Sequence, residues 1–179
     1  QTVLDGNNLN RCIDIQSDNV KIFGFSIING FATYSGQSID GRGAGIRSMG
    51  NLPIISNCNF INNSTGSMDD WGGAIYFENG GQVTICSFID NYAREGGGIF
   101  CRFGDLQIHQ SYFKNNTSNY FGNDIKTTDV FEVTITSSTF TDNIGTSISN
   151  ESVDAIFNII DGAFENCNQA LRFPRGTIN

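Results

Sequence analysis

Four short stretches of this sequence set carboxylates and arginines beside tyrosines or the single tryptophan, or hold a tyrosine alone. FATYSGQSIDGR at 31–42 holds Tyr34, Asp40 and Arg42, and STGSMDDW at 64–71 holds Asp69, Asp70 and Trp71. YARE at 92–95 adds Tyr92, Arg94 and Glu95, and TSNYF at 117–121 adds Tyr120. Rings flanked by carboxylates and arginines suit a sugar chain, because aromatic faces stack on pyranose C–H faces while charged groups bond to hydroxyls. The plainer alternative is that the tryptophan and tyrosines cap the edge of a core, as amphipathic aromatics do. Hydrolysis would need two carboxyls at a controlled separation with different pKa values, and an adjacent pair in a loop does not set that separation. Asp40, Asp69 and Asp70 are the kind of oxygen donor that Ca2+ takes, but they lack the spacing of a dedicated loop, so no cofactor is expected and Ca2+ is the one candidate. His109, in LQIHQS, reads as an ordinary strand residue.

Whatever these side chains do, something must place them. The chain has 179 residues, enough for one domain with a substantial core. Ten basic against eighteen acidic residues give a net charge of −8, which opposes binding to nucleic acid and anionic membrane. No apolar run reaches the roughly 18 residues needed to span a bilayer. Neither a basic start nor an apolar signal segment opens the chain, and 1–179 reads as a single domain that is a segment of a longer protein. Five cysteines, Cys12, Cys58, Cys86, Cys101 and Cys167, lack the paired C-x-x-C spacing of a zinc site. The glycosylation triplets at Asn62, Asn63, Asn115, Asn116 and Asn150 would matter only in a secretory pathway, and an Asn-rich chain produces them by chance.

The chain repeats. GAGI at 43–46, GGAI at 72–75 and GGGI at 96–99 are followed by the divergent GNDI at 122–125 and GTSI at 145–148. Their closing isoleucines, Ile46, Ile75, Ile99, Ile125 and Ile148, lie 29, 24, 26 and 23 residues apart, and Leu171 follows after another 23. Between them run FINN, FIDN, FKNN, FTDN and FENC, starting at Phe60, Phe88, Phe113, Phe140 and Phe164, with IING from Ile27 as a degenerate first member. Short alternating segments such as VTITSSTF at 133–140 precede most of these and indicate strands with one buried face. A unit of about 25 residues cannot bury its own apolar face, so the units must stack. The expected fold is all-β: a right-handed parallel β-helix, a solenoid of about five full coils plus partial terminal coils. Glycine at one corner allows a positive φ or close approach of the next coil. The isoleucines and phenylalanines then point inward in stacks. Asn63, Asn91, Asn116 and Asn143 fall at the opposite corner, where asparagine tolerates the left-handed conformation and its amide reaches the asparagine one coil away.

The alternation of GGA[I] with FxxN over residues 20–171 resembles the repeats of the chlamydial polymorphic outer-membrane proteins and of adhesin-like β-helix proteins more widely. The resemblance implies a surface-exposed or secreted passenger segment used for adhesion or as a stalk. The sequence departs from that pattern where the glycine pairs decay after residue 98 and where Cys167 replaces the asparagine. Many parallel β-helices also resemble pectinolytic lyases and hydrolases in fold. MDDW is similar to the paired aspartates of polygalacturonases, without their Gly-His-Gly and Arg-x-Lys companions. RFPR at 172–175 is similar to the Arg-x-Pro-x-x-Arg of pectate lyases but one residue short.

Because the repeats account for corners and core, function is expected where coils lengthen. The two insertions and their shorter equivalents place Tyr34, Asp40, Arg42, Asp69, Asp70, Trp71, Tyr92, Arg94, Glu95 and Tyr120 along one strip. The expectation is a noncatalytic extracellular or cell-surface segment whose strip contacts a glycan or a host or neighbouring cell surface. Trp71 is expected to be exposed, so that its removal would cost no more than about 1 kcal/mol of stability. The alternatives are a polysaccharide lyase or hydrolase, and a self-assembling fibre whose open coil faces stack end to end.

Overall fold

The computed structural model describes residues 1–36, 40–66, 70–173 and 177–178. Asp69 of the strip, and Pro174 and Arg175 of RFPR, lie outside the described residues. The described chain is a parallel β-solenoid, every strand pairing in parallel with its equivalent one coil away, and it contains no helix. One sheet carries the FxxN strands in seven layers, from Thr2–Asp5 and Phe25–Ile28 through Asn59–Ile61, Ser87–Ile89, Tyr112–Lys114 and Thr139–Thr141 to Ala163–Glu165. Seven layers make six coil-to-coil steps, close to the expected coil count. A twelve-stranded sheet carries the strands that begin at the glycine corner, including Ile46–Asn51, Ile75–Thr84 and Ile99–His109. The third face is a four-stranded ladder of two-residue strands, Phe31–Ala32, Ser64–Thr65, Tyr92–Ala93 and Thr117–Ser118.

The core follows the period of the repeat. Phe60, Phe88, Phe113, Phe140 and Phe164 form one continuous internal stack with ring centroids 4.8, 4.6, 4.8 and 4.8 Å apart. That spacing is the strand spacing itself, so each ring lies flat on its equivalent. Across the interior, Ile13, Ile46, Ile75, Ile99, Ile125, Ile148 and Leu171 are in register, one per coil. A third column, Ile55, Val83, Ile108 and Ile135, closes the triangle. Cys58 and Cys86, two residues before their phenylalanines, are stacked, buried and free, as are the other cysteines free of disulfides. The hydrogen bond to the Cys58 thiol, together with burial, holds the Cys86 thiol above the ordinary range.

The corners show both why the glycines recur and where the asparagine expectation needs correcting. Gly96 has φ +66°, and a Cβ on Gly97 would lie 2.3 Å from the Thr117 carbonyl oxygen of the next coil. At the other corner the left-handed residue is the third of each FxxN, namely Asn62, Asp90, Asn115 and Asp142, with φ between 52° and 56°. The fourth residue turns inward instead: Asn63, Asn91, Asn116 and Asn143 are all fully buried. Asn63 Nδ2 donates to Asn91 Oδ1 at 3.0 Å and Asn91 Nδ2 to Asn116 Oδ1 at 2.9 Å, as the ladder reading requires. The amide oxygens of Asn63, Asn91 and Asn116 also each accept a corner N–H, so the ladder satisfies backbone donors in the core. The ladder then changes hands, because Asn116 Nδ2 donates to Asp124 Oδ1 at 2.8 Å and not to Asn143. The outer position carries its own ladder, with Asn29 donating to Asp5 and Asn166 to Asp142, each at 3.1 Å. Burial of Asn63, Asn116 and Asn150 also removes three of the five glycosylation triplets from reach.

Candidate functional site

The strip predicted from the insertions divides in two where the chain passes from the short third face to the glycine corner. On the outer edge the rings stay in solvent: Tyr34 and Tyr120 are each 54% exposed and Tyr92 is 36% exposed. Tyr92 lies in register with Ser64 below and Thr117 above, and the Tyr120 N–H donates to the Arg94 carbonyl at 3.1 Å. The Arg94 guanidinium sits over the Tyr120 ring, 4.7 Å from its centroid. Tyr34 belongs to the first insertion, beside Ser35, whose hydroxyl donates to Asp40 at 2.5 Å. The Asp40 and Arg42 carbonyls are held from below by the guanidinium of Arg11.

On the inner side, Arg42, Asp70, Trp71 and Glu95 are drawn into a second, smaller core outside the solenoid. Along each strand that follows the glycine corner, the residue after the inward isoleucine points outward. These residues, Arg47, Tyr76, Phe100 and Lys126, stand in register from coil to coil. All four are buried because the corner loops fold over them. Trp71 stacks on Phe100 at 5.0 Å, and the Arg42 guanidinium lies over the Trp71 ring at 4.5 Å and over Tyr76 at 5.1 Å. Arg42 comes from the coil before Trp71 and Phe100 from the coil after, so the indole is held between them. This corrects the expectation of an exposed tryptophan: a sugar stacked on the indole face would displace one of these partners. Asp70 is 1% exposed and packs against the bare Cα of Gly41.

Charges in this outer core are paired. Glu78 takes Tyr76 Oη, Arg42 at 3.6 Å and Arg102 at 3.3 Å. Burial and the Glu78 carboxylate hold the Tyr76 phenol above its ordinary range. The fully buried Lys126 Nζ lies 2.6 Å from Glu151 and 3.8 Å from Glu95. Burial raises the Glu95 carboxyl against the opposing pull of Lys126. Trp71, Glu95, Phe100, Arg102, Thr128, Asp129 and Glu151 line an open cleft of about 370 Å³. Of the three aspartates weighed for Ca2+, Asp40 faces Ser35 and Asp70 faces Gly41; among the described residues no three metal-ligating side chains converge.

Tyr76, Phe100, Lys126, Glu78 and Glu151 were missed in the sequence. A signal was present, since GGAIYF and GGGIFC put a large ring directly after an inward isoleucine. An aromatic at an outward position in two successive coils marks a surface that something covers.

Fold and site together define a parallel β-solenoid repeat protein whose corner loops build an outer aromatic stack. Residues 57–78 and 85–102, two successive coils that carry FINN, GGAI, FIDN and GGGI, match the Chlamydia polymorphic membrane protein (Chlamydia_PMP) repeat. The resemblance drawn from the repeats is thus shown at the coils where the glycine and asparagine corners are best preserved. No match is found among curated proteins or among solved structures.

Proposed function

We propose that this chain is a surface-associated, noncatalytic binding segment that contacts a glycan through the tyrosine edge of its strip. The observation that carries this reading is that edge: Tyr92 on the parallel ladder, and Tyr34 and Tyr120 just beyond its first and last strands, present rings 36–54% exposed, with Arg94 laid against Tyr120. A tyrosine ring, with two side-chain torsions, loses little freedom on binding and offers its face to pyranose C–H groups. The match to a membrane-protein repeat supports a location at a cell surface. Against catalysis stands the use to which the carboxylates are put. Asp70 is buried against backbone, Glu78 is shared among Arg42, Tyr76 and Arg102, and Glu95 and Glu151 flank one lysine.

The test is binding of the purified chain to an array of neutral and acidic polysaccharides. The double variant Tyr92→Ala/Tyr120→Ala should lose about tenfold or more in affinity while its melting temperature is unchanged, since both rings are exposed. Full retention of binding would remove the edge as the contact. Pectin, alginate and glycosaminoglycans should yield neither new reducing ends nor the ultraviolet absorbance of unsaturated uronates. A turnover abolished by Asp70→Asn would replace this reading with an enzyme.

A further inference from the structure

A different face of the solenoid, away from the tyrosine edge, carries an apolar groove that no part of the described chain fills. It spans three coils at the bend midway along the glycine-corner sheet, where the register shifts between Gly104 and Leu106. Phe103, Phe131 and Val153 rise along it, one from each coil, at 36%, 76% and 62% exposure. Val130 and Ser152, both buried and joined by a 2.9 Å bond from the Val130 N–H to Ser152 Oγ, make the floor. The groove encloses about 470 Å³ and shares Asp129 and Glu151 with the cleft beside Trp71.

Its rim is acidic. The Asp129 side chain is exposed and makes no hydrogen bond or ion pair among the described residues, and Glu151 continues the rim from the next coil. Of the nearby cations, Arg102 pairs with Glu78 and lies over Phe103 at 4.8 Å, while Lys126 is buried between Glu95 and one oxygen of the half-exposed Glu151, one lysine against two carboxylates. We infer that this groove docks a polypeptide segment of alternating apolar and basic side chains, the apolar ones on Phe103, Phe131 and Val153 and the basic ones at Asp129 and Glu151. In an extended segment, alternate residues point to opposite sides, so one set reaches the floor while the other meets the rim. Complementary charge selects this occupant. A second copy of the chain, itself at −8, would bring one acidic rim against another, and an anionic lipid surface would be repelled.

Fluorescence anisotropy with a fluorescein-labelled peptide of alternating lysine and leucine tests the inference. The controls are peptides with glutamate in place of lysine and with serine in place of leucine. The lysine–leucine peptide should bind, both controls should fail, and added salt should weaken the complex. Phe131→Ser and Val153→Ser replace exposed side chains, so the fold should survive, and each should weaken binding by about tenfold. Tyr120→Ala should leave it unchanged, which separates this groove from the glycan edge. Absence of binding, equal binding of the acidic peptide, or full binding by Phe131→Ser would overturn the inference. So would sedimentation showing a dimer that Phe131→Ser dissolves, since that would make a second copy the occupant.

Discussion

Replacing Asp124 with asparagine should make the protein more stable at neutral pH and flatten its pH dependence. Asp124 stands in GNDI, where other coils place Gly45, Ala74 or Gly98, and it is fully buried. Its Oδ1 accepts from Asn116 at 2.8 Å, and Asn143 and Ser147 also adjoin it, but no cation among the described residues shifts it. Burial therefore raises its pKa from 3.8 to about 8, against the smaller opposing effects of those three neighbours. Between these two values the folded chain keeps a proton that the unfolded chain has released. Stability thus falls as pH rises through this window and levels off above it. At about 1.4 kcal/mol per pH unit the whole effect is on the order of 5 kcal/mol. In Asp124→Asn the new amide oxygen would accept from Asn116 and nothing would titrate. Its NH2 would replace Asp124 Oδ2, which has no partner among the described residues, with a donor close to Asn143, whose own Oδ1 is likewise unpartnered there. Urea unfolding of both proteins from pH 4 to pH 9 is the assay. The stability difference should be small at pH 4 and grow toward pH 8 in favour of Asp124→Asn. Glu95, also raised by burial, is common to both proteins and cancels in the difference. Parallel pH profiles, or a less stable variant at pH 8, would refute the reasoning.

Phe113→Ala, which opens a gap in the middle of the ring stack, should cost about 3–5 kcal/mol in denaturant unfolding. Lys114→Ala beside it should cost under about 1 kcal/mol, because its ion pair with Asp142 is largely exposed. Trp71→Ala should cost about 2–3 kcal/mol in the same measurement by uncovering Phe100 and taking the indole from under the Arg42 guanidinium, and a cost near zero would show that the outer stack is not a core. Ile85→Asn should stabilise by about 1 kcal/mol, because Ile85 holds φ 54° at a corner where the preceding coil has Asn57 at φ 52°. Thiol labelling in denaturant without reductant should find all five cysteines.

The solenoid was legible because its requirements repeat. A ring every coil at Phe60, Phe88, Phe113, Phe140 and Phe164 and an isoleucine after each glycine corner leave one way to bury both columns, and the register follows from aligning the motifs. The third corner was not legible. Ile85, Gln110 and Ser137 all adopt left-handed backbone there, with φ between 45° and 54°, although none is glycine, asparagine or aspartate. Local preference opposes those conformations, and stacking on the coils above and below imposes them. The same cause misassigned the asparagines. In FINN two adjacent residues can each take a positive φ, and only the inward stack decides that Asn62 does so while Asn63 enters the ladder.

The strip was half legible for a related reason. Insertion length correctly marks where loops leave the solenoid, but not whether they stand free or fold back. Folding back depends on what the neighbouring outward column offers, and here that column presents Tyr76 and Phe100, two large rings that water would otherwise cover. Trp71 and Arg42 shield them, so the residue types most suited to ligand recognition, tryptophan and arginine, are consumed by the structure. The rings left in solvent are the tyrosines one step nearer the third face, where the outward neighbours in register with Tyr92 are Ser64 and Thr117. Short polar neighbours offer nothing large to fold onto, and the rings there stay exposed.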